Sequence, residues 1–289
     1  MSEVSGARSE TPEQVPEQVP VQEKVKERQL MLNTPVKWRR ANFEEFCSSF
    51  EISPEWEPEL PGSGDTVLSP PEGKLALYEA HFSKCGFRLP ATRFQIDALV
   101  AYGVAVTQLS AFGMLRLVHF EASCRALDIE PTVDRFNVFY FLARDETWFT
   151  FRPRPKVTPL ASASPKSLHD WKEKFFFVKR GVFPVVMPWK ILSERERVQD
   201  RQVLSGFKEE GWFIALTTHA TPLDVAACQE SLLVLLGMSR LRLRAGREPY
   251  IPDEGKFYFV FVIYLLNFKL TLKCFLFRGE QAGCFQGSR

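Results

Sequence analysis

The sequence predicts a mainly α fold: a single helical domain with a small β element, a disordered N-terminal tail and an anomalous apolar C-terminal tail. Three observations support this fold class. Apolar residues recur at helical spacing through residues 71–142, residues 1–35 hold almost no aromatic side chains, and the chain turns strongly apolar from Phe257. With 45% hydrophobic and 25% charged residues, the composition is that of an ordinary soluble globular protein.

The first 35 residues are predicted to form a disordered tail. They are rich in Glu, Gln, Ser, Pro and Val, and they include the tandem PEQVPEQVP at 12–20. Such a segment buries too little apolar surface to offset the entropy of folding. One domain is predicted over 36–255, and it begins with an amphipathic helix at 36–50. The aromatic residues of this helix lie at helical spacing: Trp38, Phe43, Phe46 and Phe50.

Four helices are predicted in the helical core at 71–142, after a Pro- and Glu-rich connector. Gly86 is expected to end the first helix and Pro90 to begin the second, as the preferences of helix ends suggest. Asp128 closes the third helix, and the fourth is predicted over 131–142. The apolar positions of the first three helices are Leu75, Tyr78, Phe82, Phe94, Leu99, Tyr102, Leu109, Phe112, Leu115, Phe120, Cys124 and Leu127.

The small β element is predicted after the helical core. Trp148, Phe149 and Phe151 indicate a strand, and the run KFFFVK at 174–179 is typical of a buried strand or a helix end. A further helix is predicted to Met238. It would begin at the N-cap residue Thr221.

The apolar tail at 256–289 leaves three interpretations open. The run FYFVFVIYLL begins at Phe257, and Lys269 and Lys273 interrupt a stretch, 257–277, that would otherwise be long enough to span a bilayer. We favour a misread gene junction, because the residues of this tail are those that AT-rich codons encode. The alternatives are an incidental apolar tail and a membrane anchor. Association with a membrane is expected only through 257–277.

A series of short sequence motifs, in a fixed order, resembles the motifs of a known family. In the core they are GKLALY at 73–78, FRLP at 87–90, QLS at 108–110, HFEASCR at 119–125 and PTV at 131–133. Later words are WKEKFFFV at 171–178, PW at 188–189 and LLGMSR at 235–240. Together they resemble the plant proteins called putative gypsy-type transposon, or putative transposase of gypsy type, over about 43–252. The resemblance implies an origin in a transposable element and assigns no catalytic residue.

The enzymes that a gypsy-type element encodes leave residue signatures that this sequence lacks. An aspartic protease needs Asp-Thr/Ser-Gly, whereas Asp65-Thr66 is followed by Val67. A polymerase holds two metal ions with adjacent aspartates, and the sequence has no Asp-Asp pair. Cys-x-x-Cys and phosphate-loop motifs are absent as well. We therefore predict no catalytic residue, no cofactor and a protein that is not an enzyme.

The best candidate for a metal site combines two helices. His81 and Cys85 lie four residues apart on one helix face, and His119 and Cys124 could complete the ligand set from another helix. The alternative is that all four are core residues, since a cysteine is commonly buried as a small hydrophobic side chain. We favour the core interpretation and predict no metal.

Nucleic-acid binding is the alternative to a non-catalytic interaction or structural module. A net charge of +2 gives no general argument for it. The strongest candidates are four arginines in a stretch without acidic residues, and a smaller basic cluster lies at Lys37, Arg39 and Arg40 beside Trp38. Partners are expected to be proteins or nucleic acid. Six scattered cysteines and no secretory signal favour the cytosol or nucleus. The four arginines are Arg240, Arg242, Arg244 and Arg247.

Overall fold

A computed structural model describes residues 31–157, 160, 168, 170–192, 197–219, 233 and 236–239. These residues contain six α-helices: α1 Arg40–Ser49, α2 Glu79–Ser83, α3 Arg93–Tyr102, α4 Ala111–Ala126, α5 Val133–Phe139 and α6 Gly211–His219. They also contain four strands: β1 Lys74–Tyr78, β2 Tyr140–Asp145, β3 Trp148–Pro153 and β4 Phe175–Lys179.

The prediction of a mainly α protein is wrong. Helices cover 42% and strands 13% of the residues that the structure describes. The strands form two separate antiparallel sheets of two strands each, β1 with β4 and β2 with β3. Two segments that were expected to be helical are in part strands, because strand pairing overrides local helical spacing. β1 pairs with the distant β4, and β2 pairs with the adjacent β3.

The first sheet replaces most of the first predicted helix. β1 pairs with β4 from Lys74 opposite Lys179 to Tyr78 opposite Phe175, and only the short α2 continues as helix. The sequence KLALY fits both periods, because Leu75 and Leu77 alternate with small or polar residues. The partner strand decides between the two periods, since residues 175–178 are all buried. The run KFFFVK is therefore a strand.

The second sheet shortens the fourth predicted helix. α5 ends at Phe139, and Tyr140 begins β2, which turns back into β3 through Glu146 and Thr147. Glu146 has a left-handed φ of 56°, as a two-residue hairpin turn of this kind requires. The strand predicted around Trp148 is confirmed.

The helices of the core begin at side-chain caps. Thr92 and Gln95 form a complete capping box at the start of α3, and Ser110 and Thr132 accept backbone N–H groups at the starts of α4 and α5. Gly103, with φ 65°, ends α3 in the left-handed conformation. α3 and α4 lie where the sequence predicts helices, but α3 begins at Arg93 and not at Pro90.

Helix α4 lies at the centre of the hydrophobic core. Gly113 brings it close to β3: a Cβ at this position would lie 2.6 Å from Leu109 Cδ1 and 3.3 Å from Thr150 Cα. On the same side, the buried ring of Phe120 contacts the aromatic rings of α3 and α5. These contacts have centroid distances of 5.5 Å to Phe94, 5.2 Å to Phe136 and 6.0 Å to Phe139.

Several predictions fall outside the described residues. They are the disordered tail at 1–35 except for 31–35, most of the helix expected from Thr221 to Met238, and the whole apolar tail at 256–289. The domain limits at 36 and 255 thus stay predictions. No helix among the described residues is both long and apolar enough to cross a membrane.

Candidate functional site

A groove of about 410 Å³ opens beside the first sheet. One wall is the start of β1, and another is the region around the 3₁₀-helix Val106–Gln108. The remaining walls are the loop at 67–70 and residues 183–189 of an irregular segment, 183–192, which we call the strap. Three regions that are distant in the sequence, near residues 67–76, 105–107 and 180–189, thus meet at one concave surface. Concave surfaces of this size with mainly apolar walls are the usual form of binding sites.

The side chain of Gln108 holds the strap in place. Its amide Nε2 donates to the carbonyl of Lys190 at 2.8 Å, and its Oε1 accepts from the Lys190 backbone N–H at 2.8 Å. This bidentate contact imitates a pair of β-ladder bonds and fixes the strap against the protein. Further along the chain, Asn137 Nδ2 donates to the carbonyl of Gln202 at 2.7 Å. Two irregular segments are therefore anchored by amide side chains.

Large apolar side chains of the strap face solvent although the strap is anchored. Val186 is 80% exposed, Trp189 47% and Val185 41%, and all three line the groove. Leu68 adds a fourth partly exposed apolar side chain from the opposite wall. Contiguous exposed apolar surface of this kind is typical of interaction sites.

The positive charges at the groove are only partly compensated by carboxylates. Lys74 Nζ lies 2.6 Å from a carboxylate oxygen of Glu59, and Lys179 Nζ lies 3.1 Å from one of Glu57. Arg180 also lines the groove and is exposed, and its guanidinium has no ion-pair or hydrogen-bond partner among the described residues. The groove thus presents one uncompensated positive charge.

A buried carboxylate on α4 forms a second polar cluster, away from the groove. Glu121 Oε2 accepts from Thr92 Oγ1 and from Gln95 Nε2, each at 2.8 Å, and Oε1 lies 2.8 Å from Arg125 Nη2. Burial raises the pKa of Glu121, and the contacts with Thr92, Arg125 and Gln95 oppose that rise. Because both oxygens are bonded to the protein, the cluster ties the start of α3 to α4.

The four candidate metal ligands are placed in the core. His81 Nε2 lies 3.1 Å from the Leu109 carbonyl, and Cys85 Sγ donates to the Ala111 carbonyl at 3.1 Å. His119 and Cys124, five residues apart, point about 140° away from each other around α4. Among the described residues, no three His, Cys, Asp or Glu side chains are arranged to hold a metal ion.

Both histidines are buried in their neutral form. Burial lowers the pKa of His81 to about 3, against an opposing contribution from its contact with Leu109. Burial alone lowers the pKa of His119 to about 4. His119 is 1% exposed, and neither of its ring nitrogens has a hydrogen-bond partner in the described part of the chain. Protonation of such a group would place an unpaired charge in the core, which costs stability.

The four arginines predicted to bind nucleic acid, Arg240, Arg242, Arg244 and Arg247, lie outside the described residues. Their role stays a prediction. The smaller basic cluster is described, and its aromatic member is not free to stack on bases.

The ring of Trp38 packs edge-on against Phe43 and Phe46 at centroid distances of 5.3 and 5.1 Å. Lys37 Nζ lies 2.8 Å from a carboxylate oxygen of Glu173, and the Lys37 side chain stays exposed to solvent. Only Arg39 and Arg40 of this cluster are exposed cations without an ion pair among the described residues.

Sequence reasoning missed the groove. The segment PVVMPW at 184–189 contains three apolar residues in a row between two prolines, followed by a tryptophan, and only its last two residues were noted, as part of the family resemblance. An apolar run without helical or strand periodicity was the available signal. Its exposure could not be read from the sequence, because that depends on the anchoring by Gln108.

One segment in the middle of the chain is similar to a known family. No curated protein and no solved structure matches this chain. Residues 77–144 do match a family model, and this segment runs from the end of β1 through α2, α3, α4 and α5 to β2. The family is described as "Putative gypsy type transposon", so residues 77–144 are similar to a transposon-related domain.

Proposed function

We propose that this transposon-related protein acts as a non-catalytic interaction module that binds a segment of a partner protein in the groove. The observation that supports this proposal is the anchored strap with its exposed Val186 and Trp189. While these apolar side chains are exposed to water, the protein lacks the favourable free energy that their burial would give. Full burial of one of them contributes about 1.5–3 kcal/mol, so a partner that covers both gains substantial affinity.

The groove is tested by selecting random twelve-residue peptides on phage against the full chain and measuring their affinities by fluorescence anisotropy. We expect Val186→Asp to weaken the selected peptides by about tenfold or more, because it places a charge in the apolar wall. Ile191→Asp is the matched control, since Ile191 is 84% exposed on the same strap but does not line the groove.

The control variant should bind within about twofold of the wild-type chain, because its side chain does not contact the bound peptide. Both variants should unfold at the wild-type denaturant midpoint, which separates lost binding from lost folding. Equal binding by both variants, or a selection that yields no peptide competing for the groove, would contradict the proposal.

The alternative function, a nucleic-acid-binding accessory protein of a transposon, depends on Arg240, Arg242, Arg244 and Arg247. Their density without acidic residues favours phosphate contact. If all four contact phosphates, replacing them together by Gln should lower the slope of log affinity against log salt by roughly 3.6 for duplex DNA. An unchanged slope, with peptide binding retained, would remove this alternative.

A further inference from the structure

The sheet edge at the groove is closed to backbone pairing. Ala76 and Leu77 are 1% and 0% exposed, and the Ala76 carbonyl already accepts from Thr107 Oγ1 at 2.6 Å. A segment in the groove must therefore be recognised through its side chains. A proline-containing segment meets this condition, because proline has no backbone N–H and favours an extended conformation without internal hydrogen bonds.

The groove offers two kinds of side-chain contact. Its wall exposes the apolar side chains of Val186 and Trp189, and grooves lined by aromatic residues commonly bind proline-rich segments. Arg180 adds a cation that has no ion pair among the described residues, whereas Lys74 lies 2.6 Å from Glu59. A matching segment therefore combines apolar residues and proline with a nearby carboxylate.

Residues 10–20 of this same chain, ETPEQVPEQVP, have that chemistry. The sequence Glu-Gln-Val-Pro occurs at 13–16 and again at 17–20, and we call these two copies the EQVP repeat. Residues 10–20 contain three Glu and neither Lys nor Arg. Each copy places a carboxylate two residues before a Val-Pro pair, so both kinds of contact are available from one short segment.

The apolar stretch at 257–277 matches the groove less well. It contains Lys269 and Lys273 and no acidic residue. Apolar side chains from this stretch would cover Arg180 without supplying a counterion, and removing an unpaired charge from water is costly. Charge complementarity therefore favours the N-terminal repeat over the C-terminal stretch.

The point at which the described chain begins leaves the repeat within reach of the groove. Residues 1–30 lie outside the described residues, and Met31 N–H donates to Thr147 Oγ1 at 3.1 Å. The next residue, Trp148, donates from Nε1 to the Tyr78 hydroxyl at 2.7 Å, and Tyr78 ends β1. The other end of this five-residue strand lines the groove, about 16 Å away. The chain from residue 20 to 31 spans up to about 36 Å when extended.

We propose that the EQVP repeat binds in the groove of its own chain and is displaced when a partner segment binds. This inference rests on the function proposed above and adds a competing ligand that the chain itself supplies. One Val-Pro pair contacts Val186 and Trp189, and the Glu that precedes the pair lies against Arg180. Either copy can occupy the groove, since the two copies have the same sequence.

Weak contacts are sufficient because the repeat and the groove belong to one chain. A linker of this length gives an effective concentration of about 1 mM. A repeat with a Kd of about 0.1 mM then fills about 90% of the grooves. A partner segment consequently binds about tenfold more weakly than it binds an empty groove.

The first test is photo-cross-linking of the full chain with Val186→p-benzoylphenylalanine, a substitution that a side chain with 80% exposure can accommodate. Irradiation should join position 186 to the tryptic peptide 9–24, which contains both copies of the repeat. Ile191→p-benzoylphenylalanine is the matched control and should give clearly less of this product, because Ile191 is equally exposed on the strap but does not line the groove.

Other cross-linked products would overturn the proposal. Attachment of position 186 to 257–277 would make the C-terminal stretch the ligand, and no attachment to either tail would leave the groove empty in the free chain. A mixture of isotopically labelled and unlabelled chains distinguishes binding within one chain from binding between two copies. Products that join labelled to unlabelled chains would show that a second copy supplies the repeat, against the proposal.

The second test measures competition. Val15→Ser together with Val19→Ser should strengthen binding of a phage-selected peptide to the full chain by about tenfold, because the groove is then empty. Either change alone should have an effect of less than about threefold, since one intact copy remains. Val4→Ser with Val25→Ser, in the same tail but outside the repeat, is the matched control. Equal affinities for the two double variants would contradict the proposal.

The third test exchanges the charges. Glu13→Lys together with Glu17→Lys should lower the yield of the cross-link between position 186 and 9–24, and adding Arg180→Glu should restore it. Lys179→Glu changes the neighbouring cation, which is paired with Glu57, and should not restore the yield. Restoration by both substitutions, or by neither, would show that Arg180 does not contact the repeat.

The outcomes separate this inference from the proposed function. If selected peptides compete for the groove but 9–24 does not cross-link and the serine variants leave affinity unchanged, the groove binds partners alone and the inference is wrong. If 9–24 cross-links to position 186 but no peptide is selected, the repeat is the ligand and the proposed function fails.

Discussion

Replacing Phe120 with Ala is expected to lower the free energy of unfolding by about 3–5 kcal/mol. The side chain is fully buried in the middle of α4, and its ring contacts Phe94 and Phe136 within 6 Å. The substitution therefore removes apolar burial and leaves a cavity among aromatic rings that are held by three helices. Denaturation in urea, followed by fluorescence and circular dichroism, measures the change.

Phe112→Ala is the matched control, since Phe112 lies on the same helix but is only partly buried. Its loss should cost clearly less than that of Phe120, because its surroundings can relax toward solvent. A cost below about 1 kcal/mol for Phe120→Ala would contradict the central position of this ring.

Acidification from pH 7 to pH 4 is expected to destabilise the protein, and His119 should account for about 3 kcal/mol of the loss. The pKa of His119 is lowered from 6.5 to about 4 in the folded state. Between these values the unfolded chain binds more protons than the folded one. Stability is therefore fully present above pH 6.5 and is lost progressively as the pH falls toward 4.

His119→Leu isolates this contribution. The variant keeps His81 and Glu121, so their own titrations affect both proteins equally. Glu121, whose pKa is raised, acts in the opposite direction and gains stability as the pH falls. We expect the difference in unfolding free energy between variant and wild type to grow in favour of the variant below pH 6.5. Parallel pH profiles would show that His119 is solvated in the folded protein.

Local signals in the sequence were sufficient for the helices of the core. Thr92 and Gln95 form a capping box that can be recognised from their spacing, and Phe94 and Leu99 have the period of a helix. The strand β1 was missed for a physical reason. Leu75 and Tyr78 satisfy helical spacing while Leu75 and Leu77 satisfy an alternating pattern, and the partner strand that decides between the two periods lies near residue 177.

Less of the candidate site than of the fold could be predicted from the sequence. Sequence reasoning concentrated on charged and metal-binding residues, whose types are conspicuous in a sequence. The groove depends instead on which apolar residues stay exposed. That exposure follows from tertiary contacts such as the contact of Gln108 with Lys190. It is not encoded in a local pattern.

The pairing of β1 with β4 also fixes the order of events during synthesis. About 100 residues separate the two strands, and a ribosome adds roughly 5–20 residues per second. For about 5–20 seconds after β1 leaves the ribosome, its future partner does not yet exist. The nascent chain therefore carries a hydrophobic strand with both edges unpaired, a natural substrate for the chaperones that bind emerging polypeptides.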